Sequence, residues 1–440
     1  MKFDIVVYNG IIVTVNPDFD IIDKGVVCIR NGMLERIGPW DEDVDVPAAD
    51  RIINAKGGIV MPGLVNTHTH LPMSLFRGLA DDLPLMTWLN EHIFPAESKY
   101  INPESVRLGT LLSCSEMILS GTTTCCDGYF HEDEVAKAVC DSGMRAVLGQ
   151  GVIDFPAPGV PDPKNNIKTA VDFTEKWQGV NSAVTPSIFC HSPYTCSAGT
   201  LKKAKDAAAS KGLLFQIHVA ETRNERDRIL SEHHVTPIQY LDKIGILDRH
   251  TLLVHAIWVD EADMEIIAKR DAKISHNPES NTKLAAGIAP VPEFIKAGIT
   301  VGLGTDGCAS NNNLDFFQEM DTAAKLHKVN TLDPTVLDAG RVIKMATIDG
   351  AKAIGLGRET GSLEIGKQAD IIIIDINRPH WVPMYHPVSH IVYTAKGSDV
   401  TTSIVNGKLI MKDGSLLTMD VEDIMKDVNR IAAKIRKEHQ

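Results

Sequence analysis

The chain has 440 residues, and 44 Lys and Arg against 57 Asp and Glu leave a formal charge of −13. That length suggests one large domain plus a small one, or about three domains, and it supports a core that needs no disulfide staples. The acidic balance argues against nucleic acid as a partner, and 44% hydrophobic with 23% charged residues excludes wholesale disorder.

The first residues, Met1 to Tyr8, meet charge too early for a signal peptide, and no apolar run approaches the roughly 18 residues of a membrane span. Eight cysteines are scattered with no C-x-x-C pair, so reduced thiols and a cytoplasmic location are expected, with no membrane partner. Residues 1–60 read as short strands with hairpin signals at Asn9-Gly10 and Asn31-Gly32. From 61 to 360, short apolar runs alternate with helical stretches. The runs end near His68, Asp127, Gly149, His191, His218, His255, His276 and Asp306. Eight strands with intervening helices in about 300 residues is the count of a (β/α)8 barrel. An open doubly wound sheet is the rival, but no G-x-G-x-x-G follows the first strand. Residues 361–420 return to strands, with Ala369–Asp375 as one of them and turns at Asn406-Gly407 and Asp413-Gly414. The two β-rich ends are expected to pack as one composite β-sandwich, and 421–440 as a charged helical tail.

The chemistry gathers at the carboxyl ends of the barrel strands. His68 and His70 are two residues apart, so a strand points both the same way. His191, His218, His255, His276 and Asp306 each end another strand, at the face where barrels build active sites. A lone strand-end histidine is more often structural, but three imidazoles and a carboxylate converging on one point form a ligand set for a divalent metal such as zinc.

Pro62-Gly63-Leu64-Val65-Asn66-Thr67-His68-Thr69-His70 resembles the first-strand signature of the amidohydrolase superfamily, and Gly361 to Asp370 resembles its re-entry into the small β domain. The resemblance covers nearly the whole chain. It implies an α/β fold, a TIM-type barrel with the composite sandwich, and a metal held by His68, His70, His218 and Asp306, with His255 beside the hydrolytic water. Binuclear members usually bridge their metals with a lysine ending the fourth strand. Here Ile188-Phe189-Cys190-His191 offers none, so a single ion is expected: zinc first, with iron(II) or manganese(II) open.

Glu221 stands three residues past His218, an H-x-x-E arrangement resembling aminohydrolases of purines and related rings. A carboxyl group there can carry a proton to a ring nitrogen and then to a leaving amine; its competing role is charge stabilisation at a helix N-terminus. The segment Leu85 to Glu97 resembles the superfamily's deaminases of 5′-methylthioadenosine and S-adenosylhomocysteine, as do His276 to Asn281 and Gly304 to Gly307. That resemblance implies Glu97 on the ribose hydroxyls and His191 on the substrate, against a surface role for Glu97 and a structural one for His191. Trp88 either lines the ligand's apolar part or packs in the core. The implied reaction is deamination of an adenine nucleoside at C6, with catalytic roles for Glu221, His255 and Asp306. Guanine, cytosine and triazine aminohydrolases or chlorohydrolases, and a non-catalytic binding barrel, are the alternatives. The partner is a small nucleoside, and a homo-oligomer is expected. Cys125-Cys126, Cys190 and Cys196 are read as buried hydrophobes, Asn311-Asn312-Asn313 as a helix cap and loop, and His233-His234 as solvated.

Overall fold

A computed structural model describes residues 2–439. The N-terminal strands are Phe3–Val13 (β1), Ile21–Arg30 (β2), Met33–Pro39 (β3), Ala49–Asn54 (β4) and Ile59–Pro62 (β5). The barrel strands follow: Leu64–Thr69 (β6), Thr122–Tyr129 (β7), Arg145–Val152 (β8), Val184–Cys190 (β9), Phe215–Val219 (β10), Thr251–His255 (β11), Lys273–His276 (β12) and Val301–Leu303 (β13). Ile371–Ile374 (β14), Val400–Val405 (β15), Lys408–Lys412 (β16) and Ser415–Leu416 (β17) complete the set.

Strands β6 to β13 lie side by side in sequence order, every pairing parallel. A parallel strand covered on both faces has no polar side to alternate with. β7 and β8 are accordingly buried along their whole length, Thr and Cys included. Between first and last strands, Thr67 Oγ1 donates to the Leu303 carbonyl at 2.8 Å, and the Asp306 amide donates to the His68 carbonyl at 3.0 Å. These contacts bring the ends of β6 and β13 together, and with them two of the expected metal ligands.

Both chain ends build the second sheet. Its order is β17-β16-β15-β14-β5-β1-β2-β3, with β4 also paired to β1. It curls on itself, because Gly32 and Leu34 of the β2–β3 hairpin exchange backbone hydrogen bonds with residues 366–369 ahead of β14. Ile5, Val7, Ile29, Leu34, Ile371 and Ile404 fill its private core. Asn31-Gly32, Asn406-Gly407 and Asp413-Gly414 are two-residue hairpin turns with positive φ at both positions, as their side chains favour. Asn9-Gly10 is a correction. The chain does not turn there; β1 runs on to Val13, with Asn9 at φ 59° in a register shift against β2. The same left-handed preference of Asn serves a bulge as well as a turn.

The tail forms helix Val421–His439. Ile424, Val428 and Ile435 share its buried face, four and seven residues apart, and it lies against helix Pro103–Leu119. Among the described residues, no helix is long and apolar enough to cross a membrane.

Candidate active site at the carboxyl end of the barrel

His68 and His70 leave β6 on one face of the strand, as their spacing requires. His70 Nδ1 lies 2.6 Å from the Gly128 carbonyl, which accepts only, so this nitrogen carries the proton and Nε2 presents its lone pair. The chain then turns under Asp127, whose Oδ1 accepts from the Leu71 amide at 2.6 Å. His218 Nε2 faces His68 Nε2 at 3.1 Å, and Asp306 Oδ1 lies 3.3 Å from Nε2 of both His68 and His70. One donor atom from each of His68, His70, His218 and Asp306 falls within 4.8 Å of all the others. Three lone pairs and an anion facing a common point repel one another unless a cation lies between them, so the donor set fits a divalent metal. Burial pushes the His68 imidazolium down to about 4 and that of His218 well below its usual range, which keeps both rings neutral and able to ligate. Burial opposes ionisation of Asp306, but the His68 hydrogen bond and the surrounding imidazoles hold its carboxyl well below the usual carboxylate range.

Asp306 is fixed from behind. Its Oδ2 accepts from Ser280 Oγ at 2.7 Å and Ser310 Oγ at 2.8 Å, which leaves Oδ1 for the cluster. Its backbone sits at φ 62°; Ala220 (φ 51°), His255 (φ 74°) and Ala256 (φ 46°) share that left-handed region at neighbouring strand ends. Each such residue costs on the order of 1–3 kcal/mol and persists where the fold over-determines it, typically at functional sites.

His255 Nδ1 lies 2.8 Å from Asn281 Oδ1, and its Nε2 is 3.8 Å from Glu221 Oε1. Glu221 is buried, and burial raises its carboxyl pKa. The helix-terminus role belongs instead to Glu225, whose carboxylate accepts the Ala220 and Glu221 amides at 2.8 and 2.9 Å. Glu97 is 5% exposed, which removes the surface alternative. Tyr129 Oη donates to it at 2.6 Å, and burial lifts its pKa to about 7. His191, its ring 5.2 Å from that of His218, is pushed down to about 3 by burial, and its Nδ1 meets Thr195 Oγ1 at 3.0 Å. Trp88 is 6% exposed and serves both readings, as core and as pocket wall. All nine expected site residues except His68 line one cavity of about 440 Å³; His68 is fully buried within the donor cluster.

A model of the amidohydrolase family matches residues 59–410. The chain belongs to the amidohydrolase family. A 5-methylthioadenosine/S-adenosylhomocysteine deaminase of Syntrophobacter fumaroxidans is 46% identical over 99% of both chains. A 5′-deoxyadenosine deaminase of Methanosarcina mazei is 44% identical over 98% of both. An adenosine deaminase of Xanthomonas campestris, solved with bound zinc, superposes with a TM-score of 0.97 at 33% identity over 99% of each chain. Within this family member, His276 turns away from the cavity. Its Nε2 lies 3.0 Å from that of His327, and both rings are buried. Asn311 is a correction: it does not cap a helix, since Asp315 caps Phe316–Thr331. Asn311 is buried and braces the Thr305 carbonyl at 2.9 Å and Glu319 at 2.6 Å. Sequence reasoning missed Asp127, Tyr129, Glu225, Ser280 and Ser310. Only Asp127 carried a local signal, as a carboxylate ending an apolar strand.

Proposed function

We propose that the chain hydrolyses the 6-amino group of an adenine nucleoside, with water entering and ammonia leaving to give the inosine analogue. The observation that carries the reading is the cavity itself. The His68–His70–His218–Asp306 cluster lies at one end, Glu221 and His255 stand over it, and a buried carboxylate, Glu97, is held on the wall. A divalent ion bound by those four residues, with zinc the first choice and iron(II) or manganese(II) fitting the same donors, supplies Lewis-acid activation of water.

The chain's own residues do the rest. Asp306 Oδ1 accepts the water's proton, its Oδ2 being occupied by two serine hydroxyls. His255, anchored through Nδ1 to Asn281, presents Nε2 to the attacking oxygen. Glu221, kept protonated more readily by its burial, donates to the ring nitrogen beside C6 as the tetrahedral centre forms. Asp306 then passes the water's proton to the amino group, the C6–N bond breaks to release ammonia, and Glu221 takes back a proton from the new hydroxyl as the C6 carbonyl forms. Glu97 accepts from the 2′- and 3′-hydroxyls, and His191 lies within reach of the ring. Free-base and triazine substrates leave Glu97 with no hydroxyls to bind, and a silent binding barrel has no use for Glu221 poised at His255.

Ammonia release from the metal-loaded protein, measured on adenine nucleosides alongside adenine, guanine, cytosine and a chlorotriazine, tests the reading. Turnover confined to the adenine nucleosides is expected; turnover confined to a free base or triazine contradicts it.

A further inference from the structure

Among the described residues, the carboxylates around the cavity, Glu97, Glu221 and Asp306, have no Lys or Arg beside them on its lining. The cavity wall beyond Glu97 is apolar: Leu89 and Phe94 come from the segment ahead of β7, Val152 from the end of β8, and Phe155 and Pro158 from the loop after it. The Phe94 and Phe155 rings meet edge to face at 5.7 Å, and Phe94 lies 6.1 Å from His191. Near the mouth, Arg228 lies over the Tyr194 ring and is paired with Glu232 at 2.9 Å.

This inference rests on the proposed function, because that reading sets the substrate's direction. With C6 at the metal cluster and the ribose diol on Glu97, the 5′-substituent points into the wall of Phe94 and Phe155. We infer that this wall is a cation-free 5′-subsite that selects adenine nucleosides with a small apolar 5′-group, methylthio or plain methyl, over those ending in an amino-acid carboxylate.

The physical case has two parts. A methylthio group gains burial and sulfur–aromatic contact on such a wall. A carboxylate brought there loses water on an apolar wall and finds no Lys or Arg to pair with. The ammonium of the same tail has the acidic Glu97 bordering that wall, so the carboxylate carries the larger penalty.

The test compares kcat/KM of the metal-loaded full chain for 5′-methylthioadenosine, 5′-deoxyadenosine, S-adenosylhomocysteine and the decarboxylated analogue of the last, which keeps only the amine. The two apolar substrates are expected to exceed S-adenosylhomocysteine by about tenfold or more, and removal of the carboxylate to recover most of the difference. Phe155 is exposed enough to replace without disturbing the core. Phe155→Arg is expected to raise kcat/KM for S-adenosylhomocysteine by about tenfold and to lower it for 5′-methylthioadenosine. S-adenosylhomocysteine turned over as well as 5′-methylthioadenosine, or a decarboxylated analogue no better than its parent, overturns the subsite and leaves the deaminase reading standing. No ammonia from any of the four overturns both.

Discussion

At the residue scale, the roles proposed for two carboxylates are separable. Glu221→Gln keeps the shape and a hydrogen bond but has no proton to give. Turnover is expected to fall by about 10²–10⁴, with metal content retained in the same sample. Full activity contradicts the proton transfer. The role proposed for Glu97 bears on both specificity and stability. A 2′,3′-dideoxynucleoside leaves a buried acceptor unpaired, so the enzyme is expected to prefer the riboside by about tenfold or more, and Glu97→Gln to narrow that preference. Burial lifts the Glu97 carboxyl from its ordinary 4.5 to about 7. The folded protein therefore holds a proton that the unfolded chain releases earlier. The associated stability is full below pH 4.5 and is lost as pH rises to about 7. In the ligand-free protein, melting temperature against pH across that window is expected to slope less in Glu97→Gln, and an unchanged slope contradicts the shift. The proposed ligands His68, His70, His218 and Asp306 were legible because each lies at or near the end of a strand and the H-x-H spacing fixes a face. Ser280, Ser310 and Tyr129 were not. A hydroxyl that braces a ligand from a distant segment leaves no periodic trace in the chain.

At the scale of elements, the turn from β10 into helix Arg223–His233 positions Glu221. Glu225 reaches back from the first helical turn to hold the Ala220 and Glu221 amides. Ala220 sits at φ 51°, and those two bonds help keep it there. Glu225→Ala leaves two buried donors unpaired, at about 1–3 kcal/mol each. Melting temperature and kcat are expected to fall together, whereas a loss of stability with unchanged kcat contradicts a positioning role. The Asn31-Gly32 and Asn406-Gly407 hairpins were readable because the dipeptide favours positive φ at both positions and lies between two strand-like segments. Asn9-Gly10 misled because Asn takes the same left-handed backbone in a bulge, and only pairing with β2 separates the two outcomes.

At the scale of the whole molecule, the curled sheet is tied to the barrel through Arg145 at the start of β8. Its Nε donates to Asp370 Oδ2 at 2.8 Å, Nη2 reaches Oδ1 at 3.2 Å, and both side chains are buried. Asp370 also accepts the Asn406 amide at 2.6 Å, which links three distant segments. Removing one partner of a buried pair strands the other charge. Asp370→Ala is therefore expected to cost about 3–5 kcal/mol in unfolding experiments, with the metal still bound by the folded fraction. A change under 1 kcal/mol contradicts the tie. The barrel was legible from eight recurring runs. The curl of the second sheet depends on backbone bonds between residues 32–34 and 366–369, which no local pattern announces.

Metal stoichiometry is the most direct check on the central claim. Titration of the metal-free protein with zinc, read by elemental analysis after gel filtration, is expected to give one tightly held ion per chain. Asp306→Ala and His218→Ala are each expected to abolish tight retention while leaving the fold intact by circular dichroism. Two ions per chain, none, or undiminished retention in both variants would contradict a single site built by His68, His70, His218 and Asp306.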